Sequence, residues 1–275
     1  MATLPSHGKE TMFERLRTAA STRRQAFHSK MQAAAYRSTV NSLDTAPSLT
    51  HRSTPTPWIV SLQYDAPAYN RYHWHSATGV LIAPRAVLTC AHVFSPGAQK
   101  PGTIPLTDRE FTARVGGTDL DEGVAHKITD VRLHPGFDPA TAAHDLAVAT
   151  LGTAAELPAL ERDDRSPAVG DAITILGWPR GRDGDGRLAQ ATTTLIDPRI
   201  GGTGELCAAN LPVPNDLGAG CSGGAVLKDD DGAVRLVGIL SHGAGVAIEE
   251  AGPPAVIVDV VAEADFINRV VAEPQ

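Results

Sequence analysis

Cysteine is scarce in this chain of 275 residues, with only Cys90, Cys207 and Cys221. An odd, low count excludes the disulfide-stapled scaffold of small secreted domains. Long apolar runs are also missing. No stretch approaches the roughly 20 apolar residues that a membrane span needs. The first forty residues are broken by Lys9, Glu10, Glu14, Arg15, Arg17, Arg23, Arg24, Lys30 and Arg37, which leaves no room for the apolar core of a secretory signal. A cytoplasmic protein with no membrane partner is the expectation. Positive charge is not in excess either: Lys+Arg 24 stand against Asp+Glu 31, a net charge of −7. A chain that cannot replace the counterions around phosphates is not expected to bind nucleic acid.

What is present suffices for a sizeable core, since 42% of the residues are hydrophobic. Residues 1–43 form a distinct basic segment with seven Lys or Arg against two Glu. It is rich in helix formers, and Met12, Phe13, Leu16 and Ala19 recur at helical spacing. A helical N-terminal arm is predicted, able to dock a partner. Residues 44–57, with Pro47, Pro55 and Pro57 among Ser and Thr, read as a linker. From Trp58 the texture changes to short β-branched runs bounded by Gly, Pro and Asp. Trp58–Gln63, Thr78–Ile82, Ala86–Thr89, Phe111–Val115, Lys127–Leu133, Leu146–Leu151, Ala172–Leu176, Ala189–Ile196, Gly224–Leu227, Val234–Leu240 and Ala255–Val260 are the predicted strands. Such a series predicts an all-β barrel or sandwich. Val261–Val271, apolar at helical spacing, predicts a C-terminal helix. No repeat of fixed period is visible.

Three stretches carry residues suited to acyl transfer. That chemistry needs a weak nucleophile beside a base, a carboxylate that holds the base in one tautomer, and N–H groups where an oxyanion forms. Val87-Leu88-Thr89-Cys90-Ala91-His92 ends a strand in a histidine. Ala143-His144-Asp145-Leu146-Ala147-Val148, after His134-Pro135-Gly136-Phe137, opens a strand with an aspartate. Gly220-Cys221-Ser222-Gly223-Gly224-Ala225 sets a serine in a glycine-rich turn, where glycine lets successive N–H groups point inward.

The order His…Asp…Ser and these motifs resemble the chymotrypsin/trypsin-like serine peptidases, in a bacterial-type form. Pro57-Trp58-Ile59-Val60-Ser61-Leu62, Gly177-Trp178 and Leu236-Val237-Gly238-Ile239-Leu240-Ser241-His242-Gly243 extend the similarity from about Trp58 to Val271. The resemblance implies two six-stranded Greek-key barrels, at roughly 58–165 and 166–260 of a peptidase domain spanning 58–272. It also implies roles. Ser222 attacks the scissile carbonyl, His92 relays the proton, and Asp145 orients His92. Backbone N–H groups of Gly220 and Ser222 form the oxyanion hole. Ser241, His242 and Gly243 pair with a peptide or protein substrate. No cofactor and no metal are expected.

The chain departs from the family at instructive places. Cys221 stands where activated trypsin-like zymogens carry an Asp that pairs with a new N-terminus, and no matching N-terminal motif occurs near Thr45-Ala46-Pro47-Ser48. A site not switched on by N-terminal insertion is expected. Val93 and Ala77 replace a cysteine pair common in the family, which suits a reducing compartment. Cys207 keeps a family cysteine position; the three cysteines are expected as buried thiols, although a Cys207–Cys221 bond is conceivable. Asp216, six residues before Ser222, falls on the pocket-floor aspartate of trypsin, which implies cleavage after Arg or Lys. Gly243 keeps one pocket wall open, and Ala255 narrows the other. The function expected is a serine endopeptidase, able to serve one dedicated protein substrate. The alternative is a catalytically silent interaction module on the same fold. His73 and His75 flank Trp74 on one strand but lack an evident third metal ligand. Asp183-Gly184-Asp185-Gly186 and Asp229-Asp230-Asp231-Gly232 read as turns.

Overall fold

The structure is a computed structural model, and it describes residues 31, 34–39, 42, 48–95, 104–179, 186–198, 205–208, 218–243 and 254–273. Two closed barrels account for most of it. The first is formed by β2 (Ile59–Ala66), β3 (Arg71–Ala83), β4 (Ala86–Thr89), β5 (Glu110–Val115), β6 (Val124–Leu133) and β7 (Ala147–Leu151). Its strands neighbour one another in the order β2-β3-β4-β7-β6-β5, and β5 closes back on β2. The second is formed by β8 (Ala172–Gly177), β9 (Ala189–Ile196), β10 (Leu206–Ala208), β11 (Ala225–Asp230), β12 (Ala233–Gly243) and β13 (Ala255–Asp259). Its order is β8-β9-β10-β13-β12-β11, closed by β8 on β11. The barrels thus share one topology although no sequence repeat announces it. Among the described residues the pairings between these strands are antiparallel, and closure leaves few open edges.

The predicted strands all form, with ends shifted by a few residues, as hydrogen bonding rather than apolar content sets where a strand stops. Two further strands appear. β1 (Ser48–His51) lies within the stretch read as a linker and pairs with β9, Leu49 opposite Ala191. β10 has three residues and bridges β9 and β13 through Cys207 and Ala208. The Asp229–Gly232 turn is a two-residue hairpin. Asp231 and Gly232 have φ of 54° and 90°, and Asp229 Oδ1 accepts from the Gly232 N–H at 2.7 Å, the left-handed pair that matches strand twist.

The core divides in two. One cluster fills the first barrel and continues through Leu176, Trp178, Leu227 and Ile239 of the second. It therefore includes the interface between the barrels. The other fills the second barrel around Ile173, Val226, Val237 and Ile257. The C-terminal helix α1 (Ala264–Ala272) buries Phe266, Ile267 and Val270. These side chains join the first cluster, and the Phe266 ring meets His134 edge-on at 4.8 Å. Burying each such side chain contributes about 1.5–3 kcal/mol, so the helix clasps the chain's end onto the first barrel. Of the N-terminal arm, residues 1–30 lie outside the described residues. Tyr36, in a short helical piece at 34–39, is fully buried. Among the described residues, no helix is long and apolar enough to cross a membrane.

Gly238 shows how closely β12 and β13 pack. A Cβ there would lie 2.4 Å from Ile257 Cγ2 and 3.0 Å from the Val258 carbonyl. Gly238→Ala is expected to destabilise the protein by about 1–3 kcal/mol, as overpacking does. Thermal unfolding followed by circular dichroism checks this; an unchanged Tm would contradict it.

Candidate active site

His92 sits in a single turn of 3-10 helix, Ala91–Phe94, immediately after β4. Asp145 precedes β7, the strand paired with β4 through Thr89 opposite Ala147. That register alone places the two residues side by side. The Asp145 side chain is wholly buried and accepts three hydrogen bonds. The His92 backbone N–H reaches Oδ1 at 2.8 Å, and His92 Nδ1 and the Ser241 hydroxyl reach Oδ2 at 2.6 Å and 2.5 Å. A buried carboxylate is tolerated only when satisfied in this way. Because an ionised carboxylate only accepts, Nδ1 of His92 carries its proton and Nε2 is left as the acceptor.

Burial pushes the Asp145 carboxyl upward, but the hydrogen bonds from His92 and Ser241 and the attraction to His92 outweigh it, and the group lies below its ordinary range. Ser241 spends its proton on Asp145, so its oxygen accepts from His242 Nδ1 at 2.8 Å. Burial holds His242 below the ordinary histidine range and keeps it neutral.

Ser222 lies in the turn between β10 and β11, half-buried, and this turn is bonded directly to the first barrel. The Thr78 N–H donates to the Ser222 carbonyl at 2.8 Å. The Thr78 hydroxyl donates to the Gly220 carbonyl at 3.0 Å, and His75 Nε2 donates to the same oxygen at 3.2 Å. The Gly223 N–H and the Cys90 thiol both donate to the Leu240 carbonyl, at 2.7 and 3.2 Å. The serine turn is thereby seated against the strand end that leads to His92. Glycine is required in it. A Cβ on Gly223, at φ +81°, would lie 2.0 Å from the Thr78 carbonyl and 2.2 Å from Thr89 Oγ1.

His75, read in the sequence only as half of a histidine pair, belongs to this network. His73 has φ of 50°, which breaks the alternation of β3, so the two rings do not share a face. His73 is exposed beside Asp65, and His75 is 5% exposed. His75 Nε2 donates to Gly220, so Nδ1 accepts from the Ser61 hydroxyl at 2.9 Å. Ser61 accepts in turn from Gln63 Nε2 at 3.1 Å, which also donates to the Leu120 carbonyl at 2.8 Å. Thr78 was one threonine in a predicted strand, with nothing in its own run to mark it.

The remaining residues singled out in the sequence fall as follows. Gly220 is buried with φ of 98°. Gly243 is exposed at the end of β12 and pairs with Ala255, which is buried. Asp216 and the Asp183–Asp185 stretch lie outside the described residues. Cys90, Cys207 and Cys221 are buried thiols. Cys221 packs on Gly177, where a Cβ would lie 3.1 Å from the Cys221 Cα and Cβ. Ala77 and Val93 are buried apolar groups.

A two-barrel fold with this His–Asp–Ser order belongs to the chymotrypsin-like class. Residues 48–267 match the family model described as Trypsin. The chain is 28% identical to "Trypsin alpha-4" of Lucilia cuprina, over 75% of this chain and 79% of that one. It is 24% identical to "Trypsin" of Sarcophaga bullata, over 76% and 84%. It is 30% identical to "Coagulation factor XII" of Bos taurus over 69% of this chain, but spans only 34% of that protein. Among solved structures, "Kallikrein-related peptidase 10" superposes with a TM-score of 0.58 at 25% identity, covering 79% of this chain and 97% of that one. The chain belongs to the trypsin family. It is a serine endopeptidase, a hydrolase of protein or peptide substrates.

Asp145 links folding to pH. Its carboxyl titrates below the unfolded value, so the stability it contributes is present above about pH 3.9 and is lost as pH falls through the folded value. Ser241→Ala removes one of the lowering hydrogen bonds. Its acid unfolding, followed by circular dichroism, is expected to begin at higher pH than in the wild type; coincident acid-unfolding curves would contradict this.

Proposed function

We propose that peptide bonds are hydrolysed by a triad of Ser222, His92 and Asp145. The observation that carries this reading is the short His92 Nδ1–Asp145 Oδ2 contact, 2.6 Å, with the carboxylate wholly buried. It fixes the tautomer that leaves Nε2 to take the Ser222 proton. His92 then returns that proton to the leaving amine, and an acyl-enzyme on Ser222 is released by water. Asp145 stays ionised and stabilises the imidazolium. The N–H groups of Gly220 and Ser222 stabilise the oxyanion, and Ser241 to Gly243 align the substrate backbone as an added strand.

The oxyanion turn needs no inserted N-terminus in this reading. Where the family pairs a carboxylate with a new ammonium, Cys221 is buried, and the Gly220 carbonyl is gripped by Thr78 and His75 instead. Both bonds come from the first barrel and are made by the uncleaved chain. By its resemblance to the trypsin pattern, Asp216, six residues before Ser222, is assigned the specificity role, so cleavage follows Arg or Lys.

An active-site-directed fluorophosphonate tests the reading on the intact chain. Ser222 is expected to be labelled without prior cleavage. Ser222→Ala and His92→Ala are each expected to abolish labelling and to lower hydrolysis by at least about 10³-fold. A panel of short substrates is expected to favour Arg and Lys, a preference lost in Asp216→Ala. A folded chain that does not label is instead a silent interaction module on the same fold, and a preference for aromatic residues that Asp216→Ala leaves intact overturns the pocket assignment.

A further inference from the structure

A second cluster of ionisable side chains adjoins the Asp145 segment. His134 ends the β6 region, His144 precedes Asp145, and Glu263 introduces α1. Glu263 faces both rings. Its Oε2 is 3.1 Å from His134 Nε2 and its Oε1 is 2.7 Å from His144 Nδ1. The rings stack at 4.6 Å with 15° between their planes. One ligand atom from each residue lies within 4.8 Å of the other two.

We propose that His134, His144 and Glu263 form a three-ligand site for a divalent transition metal, zinc foremost, that staples the segment carrying Asp145 to the start of α1. Two imidazoles and a carboxylate are a borderline-soft donor set that suits zinc. Ligand atoms about 2.0–2.2 Å from a tetrahedral zinc lie about 3.3–3.5 Å apart. The nitrogen–oxygen separations, 3.1 and 2.7 Å to the two different Glu263 oxygens, are hydrogen-bond distances that open slightly to admit an ion, and one ligand atom of each residue already lies within 4.8 Å of the other two.

The surroundings favour the same role. Gly136 packs over both rings, and a Cβ there would lie 3.1 Å from His144 Cδ2 and 3.3 Å from His134 Nδ1. The His144 backbone is held separately, its N–H donating to Glu205. A cavity of about 690 Å³, bordered by His144, Glu263, Thr141 and Asp259, opens beside the cluster. It gives a metal an entry path and leaves a fourth position for water. One hydrogen bond is given up. The Gly136 N–H donates to His134 Nδ1 at 3.1 Å, and a metal on Nε2 moves the ring proton to Nδ1. The Gly136 amide, already at the surface, then turns to solvent. His144 adjoins Asp145 in the chain, so metal occupancy stiffens the segment that sets the carboxylate's position.

Binding is measured on the full chain by titration with zinc, and by the visible spectrum with cobalt as a probe of coordination. The wild type is expected to take up one equivalent, to show the spectrum of tetrahedral cobalt, to shift the Gly136 amide resonance, and to rise in Tm as zinc is added. His144→Ala and Glu263→Gln are each expected to weaken binding by at least about tenfold, the lower end of what even outer-sphere changes cost. They are also expected to lose the zinc-dependent rise in Tm. Glu263→Gln keeps the shape of the side chain, so it serves where His144→Ala does not fold. The proposal is overturned if the wild type takes up no zinc. It is overturned equally if both variants bind as the wild type does, or if binding is lost only on His92→Ala, which would put the metal at the other histidine–carboxylate pair.

Discussion

Thr78 is the residue on which the two barrels agree. It is fully buried in β3, and each of its polar groups is engaged. Its N–H holds the Ser222 carbonyl and its hydroxyl holds the Gly220 carbonyl. Its carbonyl accepts from the Thr89 hydroxyl at 2.8 Å, and its hydroxyl oxygen accepts from the Trp178 N–H at 3.2 Å. One residue, through its backbone and its hydroxyl together, therefore ties the serine turn to β4, which leads to His92, and to the strand end of β8. An unmet group here would cost about 1–3 kcal/mol. That penalty leaves little freedom in where the turn can rest.

Around that point the site is assembled by register. β4 pairs with β7, and this brings His92 to Asp145. β12 pairs with β11 and delivers Leu240 and Ser241 to the same place, Leu240 to the Gly223 N–H and Ser241 to Asp145. The bonds that seat the serine turn itself, from the Thr78 N–H and hydroxyl and from the Gly223 N–H, are between uncharged groups. The cysteine at position 221 is consistent with this, because hydrogen bonds from His75 and Thr78 act on the carbonyl next to it. Cys221 can then pack as a small apolar group on Gly177.

Much of this was legible in the sequence, and what was not has identifiable causes. Runs such as Ala189–Ile196 declare themselves by length and β-branching, and β9 forms with the same ends. The glycines around Ser222 declare a turn, and the close approach of Thr78 to Gly223 explains why. β1 and β10 were not visible, because strands of three or four residues owe their existence to a partner, here β9, rather than to their own composition. The strand alternation of β3 fails at a single residue, His73, whose left-handed backbone nothing in the run announces. The pairing of His144 with Glu263 spans 119 residues, and no local pattern encodes it. Thr78 was hidden for a simpler reason: a satisfied buried threonine looks in sequence like any other strand residue.

The central claim is that Thr78 seats the serine turn for catalysis, and a matched pair of substitutions tests it. Thr78→Val keeps the shape but removes the hydroxyl, while Thr78→Ser keeps the hydroxyl. Steady-state hydrolysis of a peptide substrate is expected to show kcat lowered at least about tenfold in Thr78→Val, toward the 10²–10³-fold of a lost oxyanion donor. KM should change little, and Thr78→Ser should lie near the wild type. A Thr78→Val enzyme with undiminished kcat, or a Thr78→Ser enzyme as impaired as Thr78→Val, would contradict the account.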